Sequence, residues 1–344
     1  MSRHTVVVRA DGLGDVVLAG PAVRAAAATS SRITMLCSAR GEPAARRLPG
    51  VDDVIVVSLP WSETAAPPMH GPGMFALVEV LRNARIDEAM ILTSSHQSPL
   101  PTAVLLRQAG VARIGGTTID HPGSLLDIAL RHDDDIHEVE RSLRLAYAMG
   151  CQLPPGDSGA LELRSPMLNV APVARRPYVV VHPGASVPAR TWSTDRWTRL
   201  VPALADSVGT VIVTGTGDEG ALTSSVAAGS PHAVDYGGRL DLDALLALLA
   251  AAEVVVTGNT GPAHLAAAVG TPVVSLFAPT VPPARWRPWQ VPCVLVGRHD
   301  LACVGCRART CPLPRQVCLD DVSVAAVVDA VTQLAHPLAT AVAQ

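Results

Sequence analysis

Four short segments of this chain hold residues whose types and spacing suit chemistry on a phosphate or a hydroxyl. The first is Val254–Thr280, VVVTGNTGPAHLAAAVGTPVVSLFAPT. Val254–Thr257 is β-branched and apolar without alternation, which predicts a strand covered on both faces. Gly258 and Gly261 bracket Asn259 and Thr260, and Pro262 stands where a first helical turn tolerates it. His264 falls in that turn, beside backbone N–H groups that no helical carbonyl satisfies. Free N–H groups and the helix dipole both favour an anion there, so the segment reads as half of a phosphate site.

The second segment is His182-Pro183-Gly184-Ala185-Ser186, followed by Arg190-Thr191-Trp192. Small residues leaving a strand let backbone approach a phosphate. Arg190 offers a fixed charge with paired donors; a solvated loop arginine is the plainer alternative. Trp192 and Trp197 are expected to pack the following helix. The third segment is Thr214–Glu219, where Asp218 or Glu219 can accept from ribose hydroxyls or cap the next helix. The fourth, Asp11-Gly12-Leu13-Gly14-Asp15, lacks the G-x-G-x-x-G dinucleotide fingerprint. Asp15 stands at a helix N-terminus, where simple capping is its plainer role. A lone His264 is more often a packed, hydrogen-bonded histidine than a ligand group. The weight comes from three segments converging on one sheet edge, because open α/β sheets bind ligands at the carboxyl ends of their strands.

Cysteines add a fifth pattern. Four of the seven form Cys303-x2-Cys306-x4-Cys311-x6-Cys318, a spacing that suits zinc or an iron–sulfur cluster. The alternative is a proline-punctuated loop with reduced thiols, as a cytoplasmic protein would have.

Composition bounds the rest. With 344 residues, 49% hydrophobic and 17% charged, the chain can fill two cores. A net charge of −3 and 3% aromatics argue against a nucleic-acid surface. All 27 basic residues are arginine, which removes lysine nucleophiles and Schiff bases. No targeting signal or membrane-spanning run is expected, so the simplest location is cytoplasmic, with peripheral membrane contact compatible.

Strands alternate with helices on both sides of a proline-rich break. Thr5–Arg9, Ile33–Cys37, Val54–Ser58 and Ala89–Thr93 read as strands; Val16–Ala28, a run ending at Glu79–Ala84, and His137–Gly150 read as helices. The last would turn Val139, Leu143, Leu145 and Met149 inward. Pro154, Pro155, Gly156, Pro166, Pro172 and Pro177 then suggest a linker. A second series follows: strand Tyr178–His182, helix from Asp195, strand Val211–Thr214, helix from Glu219, helix Leu242–Ala252, the Val254–Thr280 segment, and helix Val322–Leu334. The expectation is two similar α/β domains, 1–165 and 166–344, with ligand bound in an interdomain cleft.

In this order the motifs resemble glycosyltransferase family 9, the heptosyltransferase-like enzymes. The likeness rests on GLGDVVLAGPAVRA, on HEVERSLRL at His137–Leu145, on HPGAS with Arg190-Thr191-Trp192, on GGRLDLDALLALLAAAE, on TGNTGPAHLAAAVGTPVVSLFAPT, and on the four-cysteine loop. It implies a GT-B fold of two Rossmann-like domains, with acceptor on the first and nucleotide sugar on the second. The implied reaction is inverting transfer of heptose from ADP-heptose, without a required metal or cofactor. The acceptor would be a hydroxyl of a glycan, glycolipid or small molecule, such as lipopolysaccharide core. The resemblance assigns the catalytic carboxylate to Asp15 and a phosphate-binding charge to Arg190, with Ala185 and Ser186 beside it. It assigns ribose contact to Glu219, the adenine surround to Leu240, and the pyrophosphate turn to Asn259, Thr260, Gly261 and His264. Two positions depart from the family pattern: Asn259 stands where aspartate is usual, removing a negative charge, and Arg190 where lysine is usual. Two readings compete with transfer. One is a GT-B-like sugar-nucleotide epimerase, which needs no acceptor; the other is a catalytically degenerate nucleotide-sugar-binding protein.

Overall fold

Valine-rich runs build two six-stranded parallel sheets in the computed structural model, which describes residues 3–62, 68, 70–131, 135–166 and 177–335. The chain divides into two compact units, Met1–Arg164 and Ser165–Gln344. In the first unit the strands are β1 (His4–Arg9), β2 (Arg32–Cys37), β3 (Asp53–Val56), β4 (Glu88–Ile91), β5 (Arg113–Thr117) and β6 (Ile128–Leu130). Their spatial order is β3-β2-β1-β4-β5-β6. The second unit has β7 (Tyr178–His182), β8 (Thr210–Val213), β9 (Ala233–Asp235), β10 (Val254–Gly258), β11 (Val273–Leu276) and β12 (Cys293–Val296). Read from its other edge, its order is β9-β8-β7-β10-β11-β12, the same permutation. Both are the doubly wound Rossmann order, in which the strand sequence reverses beside the first strand and opens a ligand crevice.

The central strands are buried on both faces, as unalternating β-branched sequence requires. Every residue of β1, β7 and β10 is buried. In the second unit, Val179, Val181, Val254, Val256, Leu200 and Leu204 share a core with Trp192 and Trp197. The two indoles meet edge to face at 5.3 Å, and Trp192 donates to Leu319 O at 3.1 Å, so both pack as expected. In the first unit, Val139, Leu143 and Leu145 of the helix Glu138–Ala148 and Met149 at its C-cap are all buried.

One expected helix is two. Val16–Ala28 breaks at Ala19 into Leu13–Leu18 and Gly20–Ala27, because Pro21 has no N–H to continue the first helix and suits the start of the next. Of the expected linker, Pro172 lies outside the described residues. Among the described residues no helix is long and apolar enough to cross a membrane.

Candidate functional site

In the second unit the register decides which loops meet. His182 pairs with Thr257, and Val181 with Val213. The loops leaving β7, β8 and β10 therefore emerge side by side at the carboxyl edge, with the β7/β10 reversal point between two of them. Gly258 seals one junction: a Cβ there would lie 2.8 Å from the Arg190 carbonyl oxygen, so only glycine lets the two backbones approach this closely. Arg190 is half-buried; its Nε donates to Thr280 Oγ1 at 3.3 Å and its Nη1 to the Asn259 carbonyl at 3.5 Å.

Asn259 is buried. Its Nδ2 donates to Ala278 O at 3.3 Å, while Oδ1 is shielded from solvent and accepts no hydrogen bond. A buried carboxamide oxygen left unpaired costs on the order of 1–3 kcal/mol. Such a cost is expected where a ligand donor completes the arrangement. Beside it, Thr260 caps the helix Gly261–Ala268 without a side-chain hydrogen bond, and Pro262 occupies the first turn. His264 is buried in that turn.

On the other side of β7, Glu219 is held at the start of its helix. Its Oε2 accepts from Thr216 N at 2.8 Å and Thr216 Oγ1 at 3.0 Å, which caps the turn. Its carboxylate also lies over Gly184, where a Cβ would meet Oε1 at 1.9 Å. His182 Nε2 is 3.8 Å from Glu219 Oε2, and its Nδ1 pairs with Thr214 Oγ1 at 3.1 Å. Burial drives the His182 pKa down to about 4 despite the carboxylate, so this imidazole is neutral near pH 7. Gly238 N donates to Gly215 O at 2.9 Å, bringing the loop that carries half-buried Leu240 against the Glu219 turn. Ala185 is half-buried and Ser186 exposed on the same loop as Gly184.

Asp15 sits in the first unit, after β1. Its Oδ2 accepts from Gly12 N at 3.2 Å, so it does cap its helix. Its Oδ1 accepts from Arg9 Nη2 at 3.1 Å. Arg9 ends β1 with its side chain only 1% exposed and is ringed by carboxylates: Asp11 at 2.9 Å, Asp15 at 3.1 Å and Glu138 at 3.6 Å. Ser94 Oγ accepts from it at 2.9 Å. The Arg9–Asp11 contact is an ion pair without hydrogen-bond alignment, and both Glu138 oxygens are buried without hydrogen bonds, paired by charge to Arg9 and to Arg141 at 3.4 Å. Burial opposes the charge on Arg9, yet the surrounding carboxylates push its pKa above the ordinary arginine value. Burial raises Asp11 and Glu138, with Arg9 opposing in each case.

Arg9, Glu138, Arg141 and Thr280 are functional candidates that motif reasoning passed over. Arg9 had one signal: a charged residue closing the apolar run Val6–Val8, since a buried arginine demands partners.

The four cysteines lie in and just after the irregular segment that follows β12. All four thiols are free, Cys303 and Cys306 exposed and Cys311 and Cys318 half-buried. Burial and then the neighbouring Cys311, Cys303 and Cys306 push the Cys318 thiol up. Among the described residues, however, no three or more His, Cys, Asp or Glu side chains are placed to hold a metal ion.

The fold and the second unit's loops thus define a doubly wound α/β protein whose loops after β7 and β10 flank its switch point. The profile described as Glycosyltransferase family 9 (heptosyltransferase) matches residues 74–316. The chain belongs to that family. A lipopolysaccharide heptosyltransferase 3 of Escherichia coli is 32% identical over 117 residues, covering 33% of this chain and 34% of that protein. The chain thus spans about a third of the length of the first curated relatives it matches. Among solved structures, E. coli ADP-heptose lps heptosyltransferase II matches with a TM-score of 0.72 at 21% identity, covering 97% of this chain and 98% of that one. An E. coli heptosyltransferase solved with ADP-2-deoxy-2-fluoro heptose matches at 0.71 and 19% identity, covering 96% and 99%. The fold is GT-B, with two Rossmann-like units.

Proposed function

We propose that this chain transfers a heptose from ADP-heptose, with inversion and without a required metal, to a hydroxyl of a glycan or glycolipid such as lipopolysaccharide core. The second unit would bind the nucleotide sugar and the first the acceptor. The observation that carries the reading is the switch-point edge of the second unit: Arg190 against the Asn259 carbonyl and Thr280, with the Asn259 carboxamide oxygen buried and unpaired. An anion seated there would meet the guanidinium and the uncapped first turn of Gly261–Ala268. A sugar hydroxyl donating to Asn259 Oδ1 would satisfy it. Glu219, held by Thr216, has a second oxygen for ribose hydroxyls, with Ala185, Ser186 and Leu240 on the adjoining loops. The names of the family and of its solved ADP-heptose relatives supply the donor.

In this reading Asp15 is the general base, taking the acceptor hydroxyl proton as oxygen attacks the anomeric carbon. A positioned base contributes ~10²–10⁴-fold. The leaving diphosphate gains charge, which Arg190, the Thr260–Gly261 amides and His264 stabilise by about 3 kcal/mol per well-aimed donor.

Thermal shift against ADP, UDP and GDP, then turnover of ADP-heptose with a heptose-deficient core acceptor, tests the reading. Mass spectrometry should show one added heptose, NMR an inverted linkage, and EDTA no loss of rate. Asp15→Ala should abolish transfer with ADP affinity kept, and Arg190→Ala should weaken ADP. Isomerisation of the donor with no acceptor present would overturn transfer.

A further inference from the structure

Between β12 and the helix Val317–Asp320, residues 297–316 form neither strand nor helix, and most of 302–315 is exposed. Loops of this length without their own secondary structure are uncommon and are usually functional. This one carries Cys303, Cys306 and Cys311, with Cys318 just beyond. It makes a set of hydrogen bonds to the segments that carry Arg190 and Thr280.

Ala189, the residue before Arg190, is buried, and the loop takes both of its backbone groups. Its N–H donates to Arg309 O at 2.9 Å, and its carbonyl accepts from Gln316 Nε2 at 2.9 Å. Beyond Arg190, Trp192 donates to Leu319 O at 3.1 Å. On the other side, Arg307 N donates to Thr280 O at 2.9 Å and Gly305 N to Pro279 O at 2.7 Å. Thr280 is in turn the side-chain partner of Arg190 Nε. Thr280 is therefore fastened through its own backbone, and Arg190 through that of the preceding residue, to the same irregular loop.

We propose that the cysteine-bearing loop is a brace that fixes Arg190 and Thr280 for the nucleotide diphosphate, with Gln316 as its principal positioning residue. The inference rests on Arg190 being the phosphate contact. The loop's grip on Ala189 limits how far the Arg190 backbone can turn, so part of the ordering that a diphosphate would otherwise impose is done beforehand. By linkage, a diphosphate on Arg190 tightens the loop in return. Gln316 contributes the loop's own side-chain bond to Ala189, and its role depends on a donor. Gln316→Glu keeps the shape and offers only acceptors to the Ala189 carbonyl.

The test is ADP affinity by calorimetry for the full chain and for Arg190→Ala, Gln316→Ala and Gln316→Glu, beside hydrogen exchange of the wild type with and without ADP. Loss of one hydrogen bond at a positioning residue predicts ADP binding roughly three- to tenfold weaker in both Gln316 variants. ADP should slow exchange of the Ala189, Gly305 and Arg307 amides. Arg190→Ala weakening ADP while both Gln316 variants bind normally overturns the brace alone, even if they melt earlier. Arg190→Ala leaving ADP affinity unchanged overturns the phosphate reading and the brace with it. Should the Gln316 variants fail to fold, unchanged amide exchange in wild type on ADP addition overturns the coupling.

Discussion

Replacing Arg9 with methionine should destabilise the first unit about as much as a large core truncation there, and by an amount that depends on pH. The side chain is 1% exposed, and three carboxylates are arranged around it at 2.9, 3.1 and 3.6 Å. Methionine fills most of the volume but leaves Asp11 and Glu138 buried without their main counter-charge. Asp15 is a quarter exposed, so water compensates it and it is left out of the sum. Removing one partner of a buried ion pair costs about 3–5 kcal/mol. With a urea slope of about 2 kcal/mol/M, the midpoint falls by about 1.5–2.5 M. The sign with pH follows from burial. Asp11 and Glu138 are already raised by desolvation and held from rising further by Arg9. Without Arg9 both rise more, so the native state binds protons more tightly than the unfolded chain. Their destabilisation then grows as pH climbs from the ordinary carboxylate value through the raised one. Urea denaturation at pH 8 and pH 5 should show the larger deficit at pH 8. Arg9→Lys should recover only part, because a point charge cannot face three carboxylates at once. A deficit below about 1 kcal/mol at pH 8, or one equal at both pH values, would refute the reasoning.

Three further outcomes are expected. His182, neutral in the fold with its pKa near 4, makes stability fall as pH drops from 6.5, because only the unfolded chain takes the proton there. The loss reaches ~2–3 kcal/mol at pH 4.5, and melts of His182→Gln should lack that part of the acid limb. Gly184→Ala places a Cβ 1.9 Å from Glu219 Oε1, at the end of a flexible side chain. It should weaken ADP roughly tenfold, ~1.4 kcal/mol, with little change in melting temperature. Gly258→Ala collides at 2.8 Å with the Arg190 carbonyl, which is backbone and cannot yield. It should cost about 1–3 kcal/mol of stability and weaken ADP as well, read by melting and by calorimetry.

Much of this protein was legible in the chain because its central strands are covered on both faces. Unbroken β-branched runs announce that burial, so Tyr178–His182 and Val254–Thr257 could be placed to within a residue or so. Glycine and proline marked the turns, and the phosphate-type loops followed from helix starts in local sequence. The split of Val16–Ala28 at Ala19 was also open to reading, because Pro21 forbids continuity there. The cysteine spacing left metal and free thiols both open, since spacing in a loop fixes reach and not convergence.

What local sequence determined is the elements, their ends and the chemistry available at those ends. Only tertiary structure decided the strand order, and with it which ends are neighbours. The register of β7 with β10 puts Arg190 beside Asn259, 69 residues away along the chain, and leaves the Asn259 carboxamide oxygen buried and unpaired. It also decided that Arg9 is ringed by Asp11, Asp15 and Glu138, the last from a helix more than a hundred residues on. Hydrophobic periodicity carries no information about such partners. They are chosen by the cost of burying a charge or a polar atom alone, and that cost exists only once the chain has folded.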